Sequence, residues 1–216
     1  MRVIAIDGPA GAGKSTIARA LAAQLGLEYL DTGAMYRAIT FSAMQRNLAL
    51  DDLSAVGAFA RSATLEVGEH GVMVEGQNVT AAIRTPAITA AVSKVAANSE
   101  VRAEMRLRQQ RWAAERGGGV IEGRDIGSVV FPDAELKLYL TASPRTRAER
   151  RVGEAGGDVD QIEAAIAARD DSDRTRADSP LTLADGSIVV DTTGLSVEEV
   201  LGRITALIHT ETTGYS

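Results

Sequence analysis

The sequence predicts an α/β protein in which a parallel sheet is flanked by helices. Three observations support this fold class: short apolar runs recur along the chain, most of them are followed by a helical pattern, and glycine or proline marks many boundaries between elements. Strands that alternate with helices in this way are typical of parallel sheets with right-handed crossovers. The 216 residues, 45% of them hydrophobic, can build one such domain with a sizeable core.

The chain opens with a strand, a glycine-rich loop and a helix. Residues 3–7 are a short apolar run of the kind that forms a buried parallel strand. Residues 15–25 favour a helix, and Gly26 follows as a natural helix-ending residue. The loop, residues 8–15, fits the pattern G-x-x-x-x-G-K-[ST] without a mismatch. A flexible turn before a helix is the alternative, but the flanking strand and helix are the context that a phosphate-binding loop requires.

This loop predicts a site for the phosphate groups of a nucleotide. Glycines allow successive main-chain N–H groups to point at one anion, and the helix N-terminus adds about half a positive charge. We expect Lys14 to reach the β- and γ-phosphates and the hydroxyl of Ser15 to hold Mg²⁺. The residues expected to surround the phosphates are Gly8, Pro9, Ala10, Gly11, Ala12, Gly13, Lys14, Ser15 and Thr16.

The elements after this unit alternate between strands and helices, apart from one segment that changes character. Residues 63–79 contain two short alternating runs around a glycine, which predicts a β-hairpin inserted into the chain. Asp51 is expected to cap the helix before the hairpin, and Asn98 or Ser99 is expected to cap a later, long helix. Further strands are predicted at 27–30, 120–122, 136–140 and 187–191, and further helices at 34–45, 85–97, 144–152, 160–176 and after a capping box at Ser196 and Glu199.

Polar side chains follow three of the predicted strands, where ligands gather in parallel α/β sheets. Asp7 ends the first strand, residues 31–33 follow the second, and residues 122–125 end the strand after the long helix. The sequence therefore directs acids, a hydroxyl and an arginine to the same edge of the sheet as the phosphate loop.

Two helices near the end of the chain carry basic faces. Each face has helical spacing, and the glycine-rich segment 153–158 separates the two helices. The positions are Arg147, Arg150 and Arg151 on one helix, and Arg169, Asp173 and Arg176 on the next. A hinged pair of such helices predicts a lid that closes over polyphosphate and excludes water. Alternatively, nearby acids neutralise both faces as solvated ion-pair surfaces; these acids are Glu149, Glu154, Asp170, Asp171 and Asp173.

Several other side chains have a functional and a purely structural interpretation. Tyr36 and Arg37 could bind a phosphate or form a surface pair, and Trp112 is expected in the core rather than as a platform for stacking bases. The arginines of the long helix are expected to form a mostly solvated face; they are Arg102, Arg106, Arg108 and Arg111.

Composition excludes several classes of protein. A net charge of −6 disfavours general binding to nucleic acid, and the absence of cysteine excludes disulfides and thiolate chemistry. The N-terminus enters a strand at once, and no apolar run approaches the length of a membrane span. We expect a cytoplasmic protein without a nucleic-acid or membrane partner.

Five stretches of the sequence together resemble the bacterial cytidylate kinases, a family of nucleoside monophosphate kinases. The resemblance covers nearly the whole chain. The stretches are residues 6–15, 30–37, 123–127, 129–134 and 169–176. The first is common to phosphate-binding loops in general, whereas the other four, in this order, are specific to the family.

The resemblance implies an enzyme that uses ATP and Mg²⁺ to phosphorylate CMP and dCMP to CDP and dCDP. It implies a P-loop NTPase-like, parallel five-stranded sheet flanked by helices. A small β-containing insertion at about residues 51–116 would bind the monophosphate, and residues 146–176 would form a short helical lid. Residues 1–216 would then be one monomeric kinase domain, with its core at about 1–50, 117–145 and 177–216.

The resemblance also implies roles for individual residues. Those implied to bind CMP are Thr32, with Tyr36, Arg37, Arg124 and Arg176 at the phosphate, Ser93, Arg102 and Asp125 at the cytosine, and Arg169 and Asp173 at the sugar. Those implied in catalysis are Lys14, Arg124, Asp125, Arg147 and Arg151. These roles suit cytosine, because Asp125 can accept from its amino group and Arg102 can donate to its ring acceptors.

The sequence departs from the family pattern at two positions and leaves two rival functions open. Glu122 stands where the family often has Asp, and Ser128 where it often has Thr; both keep the chemical type. One rival is another small-molecule P-loop kinase, acting on UMP, AMP or a non-nucleotide alcohol. The other is a nucleotide-dependent switch without fast turnover.

Overall fold

The computed structural model describes residues 1–68 and 71–213, which form an α/β structure. The strands are β1 (Arg2–Asp7), β2 (Tyr29–Asp31), β3 (Leu65–Gly68), β4 (Gly71–Val74), β5 (Gln77–Asn78), β6 (Gly118–Glu122), β7 (Leu136–Thr141) and β8 (Ile188–Asp191). The α-helices are α1 (Lys14–Leu25), α2 (Thr32–Gln45), α3 (Leu53–Ser62), α4 (Pro86–Ala96), α5 (Ser99–Arg116), α6 (Pro144–Ala155), α7 (Val159–Thr175) and α8 (Val197–Thr213). A 3₁₀ turn spans Ala82–Arg84, and a π-helical turn spans Ile126–Val130.

Five strands form one parallel sheet in the order β2–β6–β1–β7–β8, which confirms the predicted fold class. The register places Glu122 of β6 beside Ile6 of β1 and beside Asp31 of β2. The acidic carboxyl ends of β1, β2 and β6 therefore lie together at one edge of the sheet. Because β1 is the central strand, the glycine-rich loop that follows Asp7 starts from the middle of this edge.

Alternating side chains of β1 divide the core into two layers. Val3 and Ala5 pack against α2 and α5 on one face, where Trp112 is buried as predicted. Ile4 and Ile6 pack against α1 and α8 on the other face. Burying each large apolar side chain stabilises the fold by about 1.5–3 kcal/mol, so both layers hold the sheet edge in place.

A second, antiparallel sheet has the order β3–β4–β5 and interrupts the alternation of strands and helices. Pairing of Leu65 with Val74 confirms the predicted hairpin, and Val72 and Val74 pack against α2. Residues 69 and 70 of its predicted turn lie outside the described residues. Strand β5 was not predicted, because its two exposed residues, Gln77–Asn78, carry no apolar alternation.

Two predicted helix starts were wrong, and in both cases an aspartate cap explains the difference. The carboxylate of Asp52, rather than that of the exposed Asp51, caps α3 by accepting from the N–H of Ala55 at 2.9 Å. Asp31 caps α2 by accepting from the N–H of Ala34 at 2.9 Å, so this helix begins two residues earlier than predicted. A side chain that binds the free N–H groups of the first turn fixes where a helix starts.

The break between α6 and α7 is shorter than predicted. Helix α6 continues through Gly153, because one glycine in a helix costs only about 1 kcal/mol. The chain leaves the helix at Gly156 and Gly157, whose φ angles are 72° and 106°. Asp158 then caps α7 by accepting from the N–H of Gln161 at 2.9 Å. The connection between the two helices is therefore only three residues long.

Asn98 caps α5 and also joins this helix to α3. A substitution at Asn98 therefore tests how much these two contacts stabilise the fold. Oδ1 of Asn98 accepts from the N–H of Glu100 at 3.0 Å, and its Nδ2 donates to the carbonyl oxygen of Leu53 at 2.8 Å. We predict that Asn98→Ala lowers the free energy of unfolding by about 2 kcal/mol, through a lost cap and a lost hydrogen bond to Leu53. Asn98→Ser keeps the cap and should lose only about half as much. Urea unfolding measures both, and equal losses would contradict a capping role.

Candidate active site

The glycine-rich loop runs from the carboxyl end of β1 to the first turn of α1. Gly8 passes so close to β7 that a Cβ atom there would lie 2.0 Å from the carbonyl oxygen of Leu140, so only glycine fits. Gly13 occupies the N-cap position of α1. Because glycine has no side chain, it cannot cap the free N–H groups of the first turn. The first N–H groups of α1 are therefore left to bind an anion.

Lys14 lies at the centre of this loop, and only 7% of its surface is exposed. Its Nζ donates a hydrogen bond to the carbonyl oxygen of Pro9 at 2.8 Å. Burial, followed by the positive charge of Arg124, lowers the pKa of Lys14 to about 7. Negative charge close to Nζ would restore the protonated form, so the loop is prepared for an anion.

The carboxylate of Asp7 connects the glycine-rich loop to the segment that follows β6. Its oxygens accept hydrogen bonds from the main-chain N–H groups of Ile126 at 2.8 Å and Gly127 at 2.7 Å. Burial raises the pKa of Asp7 to about 6, although both bonds oppose the increase. Because Arg124 and Asp125 directly precede these two amides, Asp7 fixes where their side chains stand relative to the loop.

Arg124 bridges the glycine-rich loop and α7. Its Nε donates to Oδ2 of Asp173 at 2.8 Å, and its Nη1 donates to the carbonyl oxygen of Gly8 at 2.9 Å. Burial alone would raise the pKa of Asp173, but the charge and the hydrogen bond of Arg124 lower it below its usual value. The structure therefore brings together three parts of the chain that the sequence analysis assigned to one site.

Further arginines lie around Arg124, and some of their hydrogen-bond donors have no acceptor among the described residues. Nε of Arg169 and Nη2 of Arg176 are buried and have no hydrogen-bond partner among the described residues. Burial, then the charges of Arg124 and Arg37, lowers the pKa of Arg169 to about 10. Burial, then the charge of Arg151, lowers the pKa of Arg37 to about 10. All of these groups stay positive at neutral pH, so an anionic ligand would stabilise them together.

A buried ion pair adjoins the arginine cluster. Arg102 of α5 and Asp125 are joined by a hydrogen bond from Nη2 to Oδ2, and their side chains are only 5% and 9% exposed. The guanidinium of Arg102 lies 5.7 Å from the ring centre of Tyr36, and its Nη1 donates to the carbonyl oxygen of Ala96 at 3.2 Å. Oδ1 of Asp125 is 3.7 Å from Nη2 of Arg176. Arg102 and Asp125 thus place hydrogen-bond donors and a carboxylate acceptor directly beside the arginine cluster.

Helix α4 brings Ser93 to the same region. Arg37 donates to Oγ1 of Thr89 at 2.9 Å, and Arg102 donates to the carbonyl oxygen of Ala96. Thr89, Ser93 and Ala96 have the i, i+4, i+7 spacing of one helix face. The half-buried Ser93 therefore lies between the positions on α4 that contact these two arginines.

Oxygen atoms gather near the ends of β2 and β6. Ser15 and Thr16 are exposed on the first turn of α1, Glu122 accepts a hydrogen bond from Tyr29, and the hydroxyl of Ser15 is near enough to Glu122 to lower its pKa. Burial raises the pKa of Glu122. The hydroxyl of Thr32 is engaged within the protein, because its Oγ1 donates a hydrogen bond to the carbonyl oxygen of Glu122 at 2.6 Å. Hydroxyl and carboxylate oxygens are ligands that Mg²⁺ prefers.

The structure corrects the expectation that Arg147 projects toward a ligand from a free lid face. Arg147 is buried and paired with Asp170 of α7, and its Nη1 also donates to the carbonyl oxygen of Ala10 at 3.0 Å. Its guanidinium therefore ties α7 to the glycine-rich loop. The acid that neutralises it is one of those that the sequence analysis considered for this purpose.

The other two basic residues of this α6 face also have separate surroundings. Arg150 donates to Oγ1 and to the carbonyl oxygen of Thr192, at 2.9 and 2.7 Å, and so binds the turn after β8. Arg151 pairs with Glu154 at 2.8 Å, and its positive charge contributes to the lowered pKa of Arg37. A Cβ atom at Gly13 would lie 3.6 Å from Nη1 of Arg150, so Arg147 and Arg150 both lie against the glycine-rich loop, whereas Arg151 lies apart with Glu154.

The arginines of the long helix α5 are only partly solvated. Arg106 and Arg111 are exposed, as predicted. Arg108 instead donates to three carbonyl groups at the end of α3, at 2.8, 2.9 and 3.3 Å, and Arg102 is buried in the ion pair described above. The expectation of a solvated face was wrong for these last two residues, because each is needed to satisfy buried acceptors.

A parallel α/β sheet with a glycine-rich loop at its central strand, facing a cluster of arginines, defines a P-loop protein that binds phosphate groups. The model of the cytidylate kinase family matches residues 4–210, and the chain belongs to this family. Cytidylate kinase from Desulfitobacterium hafniense (strain Y51) is 47% identical over 222 residues, which are 98% of this chain and 95% of the relative. Cytidylate kinase from Listeria monocytogenes serotype 4a (strain HCC23) is 48% identical over 94% of each chain.

A bifunctional relative and two solved structures extend the comparison. The bifunctional pantoate ligase/cytidylate kinase of Synechocystis sp. (strain ATCC 27184 / PCC 6803 / Kazusa) is 48% identical over 95% of this chain, which spans 42% of that relative. The structures of TT1252 from Thermus thermophilus and of a gluconokinase from Sinorhizobium meliloti 1021 have TM-scores of 0.52 and 0.51, cover 97% of this chain and of their own chains, and are 18% and 12% identical. These two likenesses concern the fold alone.

In the part of the chain that the structure describes, every helix is too short or too polar to cross a membrane.

The lowered pKa of Lys14 predicts that an anion binds to this loop with uptake of a proton. At pH 8 an amine with a pKa of about 7 is mostly neutral, and nearby phosphate charge should return its pKa toward the usual 10.5. Tripolyphosphate titrated by calorimetry at pH 8, in buffers of different ionisation enthalpy, measures the uptake. We expect wild type and Lys94→Met, an exposed lysine, to take up nearly one proton more than Lys14→Met. Identical proton balances in all three proteins would contradict this role.

Proposed function

We propose that this protein transfers the γ-phosphoryl group of ATP to CMP or dCMP, with ADP and CDP or dCDP as products. One observation above all supports this function: Arg124 binds the carbonyl oxygen of Gly8 and the carboxylate of Asp173, so the loop and α7 meet at one place, and we infer that both substrates bind in a cleft there. The buried pair of Arg102 and Asp125 adjoins the same place. Membership of the cytidylate kinase family agrees with a nucleoside monophosphate as the acceptor.

The glycine-rich loop is the proposed donor site. Its main-chain N–H groups and Lys14 would hold the β- and γ-phosphates of ATP, and Ser15 and Glu122 would hold Mg²⁺ directly or through water. When bound, this ion neutralises phosphate charge. No group of three or more metal-ligating side chains occurs within the described residues, so the remaining ligands would be phosphate oxygens and water.

The arginine cluster is the proposed acceptor site. Arg37, Arg124 and Arg176 would bind the phosphate of CMP, with the hydroxyl of Tyr36 as a further donor. Arg169 and Asp173 would bind the sugar. Nη2 of Arg176 and Nε of Arg169 support these assignments, because neither atom has a hydrogen-bond acceptor among the described residues and a phosphate and a hydroxyl would supply one to each.

The ion pair of Arg102 and Asp125 is the proposed base site, with Ser93 beside it. The carboxylate of Asp125 can accept from the exocyclic amino group of cytosine, and Arg102 can donate to its ring nitrogen and carbonyl. Uracil presents a carbonyl oxygen where cytosine has the amino group, so it would face the Asp125 carboxylate with a repelling acceptor. A buried site of this kind discriminates strongly, because the wrong base leaves a charged group unpaired.

Phosphoryl transfer in this cleft would proceed directly from donor to acceptor. Lys14, Arg124 and Arg151 would balance the negative charge that spreads over the transferred phosphoryl group. Arg147 would hold the glycine-rich loop in position through its hydrogen bond to Ala10. The arginines come from α6, α7 and the segment after β6, so their approach would also exclude water from the reacting phosphate.

A panel of acceptors tests this function against both rivals. With ATP and Mg²⁺, we expect kcat/KM for CMP and dCMP to exceed that for UMP, AMP and a non-nucleotide alcohol by at least about 10-fold. ADP release in a coupled assay measures each rate. Equal rates for CMP and UMP would favour a general small-molecule kinase, and ADP release that no acceptor accelerates would favour a nucleotide-dependent switch.

The same panel on Asp125→Asn tests the base site separately from the donor site. The amide keeps the volume of Asp125 but loses its charge, so KM for CMP should rise about 10–100-fold while KM for ATP stays within about twofold. Asp133→Asn, which changes an exposed aspartate, is the matched control and should leave both constants unchanged. Parallel losses for CMP, UMP and ATP would show that Asp125 supports the fold rather than the base.

A further inference from the structure

The guanidinium of Arg102 is held on every side except at Nε. Its Nη2 is bound to Asp125, its Nη1 donates to the carbonyl oxygen of Ala96, and the ring of Tyr36 lies against it. Nε is buried and has no hydrogen-bond partner in the part of the chain that is described. Oδ1 of Asp178 lies 3.7 Å from this Nε.

We propose that Asp178 is a positioning residue for base recognition, which acts by fixing Arg102 at Nε. The inference rests on the proposed function, in which Arg102 reads the cytosine. The side chain of Asp178 is 34% exposed, whereas that of Arg102 is 5% exposed, so the carboxylate stands at the rim and faces inward to the buried guanidinium. With Nε and Nη2 held by two carboxylates, the plane of the guanidinium would have one orientation toward the base.

The backbone around Asp178 is shaped to hold the carboxylate in this place. Ser179 has a φ angle of 49°, a left-handed conformation that costs a non-glycine residue about 1–2 kcal/mol. Two hydrogen bonds oppose this cost: Oγ of Ser179 donates to Oδ1 of Asp178 at 2.6 Å, and Nε of Arg176 donates to the carbonyl oxygen of Ser179 at 2.6 Å. The turn is therefore fixed by Arg176, a residue proposed to bind the CMP phosphate.

Electrostatics support an ionised Asp178. Burial alone would raise its pKa, but the hydroxyl of Ser179 and the charge of Arg102 lower the pKa below the usual value. Arg102 and Arg176 are both nearly buried, and Asp125 lies close to each of them. Oδ1 of Asp173 also lies 3.9 Å from Nη1 of Arg176, so Asp125, Asp173 and Asp178 together face the two guanidinium groups, and Asp178 is the carboxylate on the Nε side of Arg102.

The test is steady-state kinetics with CMP, UMP and ATP on wild type, Asp178→Asn, Asp178→Glu and Asp171→Asn. Asp171 is an exposed acid on α7 and provides the matched loss of charge. We expect Asp178→Asn to raise KM for CMP about 10-fold and to lower the preference for CMP over UMP, with kcat and KM for ATP within about twofold. Asp178→Glu, which keeps the charge, should recover most of the preference, and Asp171→Asn should match wild type.

A double-mutant cycle separates positioning from a structural role. If Asp178 acts through Arg102, Asp178→Asn should cost little further CMP preference in an Arg102→Lys background, whereas independent effects would add. An Asp178→Asn enzyme as selective as wild type would overturn the inference, as would parallel losses for CMP and ATP with a lowered Tm. A wild type without CMP preference would overturn the proposed function as well, so the two failures are distinguishable.

Discussion

Between the glycine-rich loop and α7, several buried cations lie close together, and not every one of their donors has an acceptor among the described residues. Burying a charged group costs several kcal/mol unless a partner compensates. Asp125 and Asp173 compensate Arg102 and Arg124, but burial still lowers the pKa of Lys14, and the buried Nε of Arg169 lacks a hydrogen-bond partner among the described residues. The two core layers supply the stability that this arrangement needs, and anionic substrates would complete its charge balance.

The geometry of the cleft depends on main-chain contacts as much as on charges. Asp7 ends the central strand and binds two amides after β6, so the loop and the Arg124–Asp125 segment form one hydrogen-bonded unit. Arg147 joins that unit to α7 through Asp170 and the carbonyl oxygen of Ala10. Small shifts of α6 or α7 would therefore be transmitted to the glycine-rich loop, which links donor binding and acceptor binding in the proposed reaction.

The sequence predicted what depends on local pattern and missed what depends on packing. The glycine-rich loop, the sheet and the hairpin each have a short-range signal. The burial of Arg102 had a weaker signal in the sequence: Arg102, Met105 and Gln109 share the i, i+3, i+7 spacing of the buried face of α5. Nothing in the sequence marks Asp178, because the backbone of the following residue, rather than a motif, turns it toward Arg102. Helical spacing likewise predicted which face of α6 carries Arg147, but it could not predict that Arg147 pairs with Asp170.

The central claim is that one cleft holds a nucleoside triphosphate on the loop and a cytidine monophosphate on the arginines. A dinucleotide in which a pentaphosphate joins adenosine to cytidine would span both sites and tests this claim directly. Calorimetry should show one molecule bound per chain, with a Kd below that of ATP or CMP alone, and either nucleotide should displace it. Displacement by ATP alone, with CMP still binding to the saturated protein, would contradict a shared cleft.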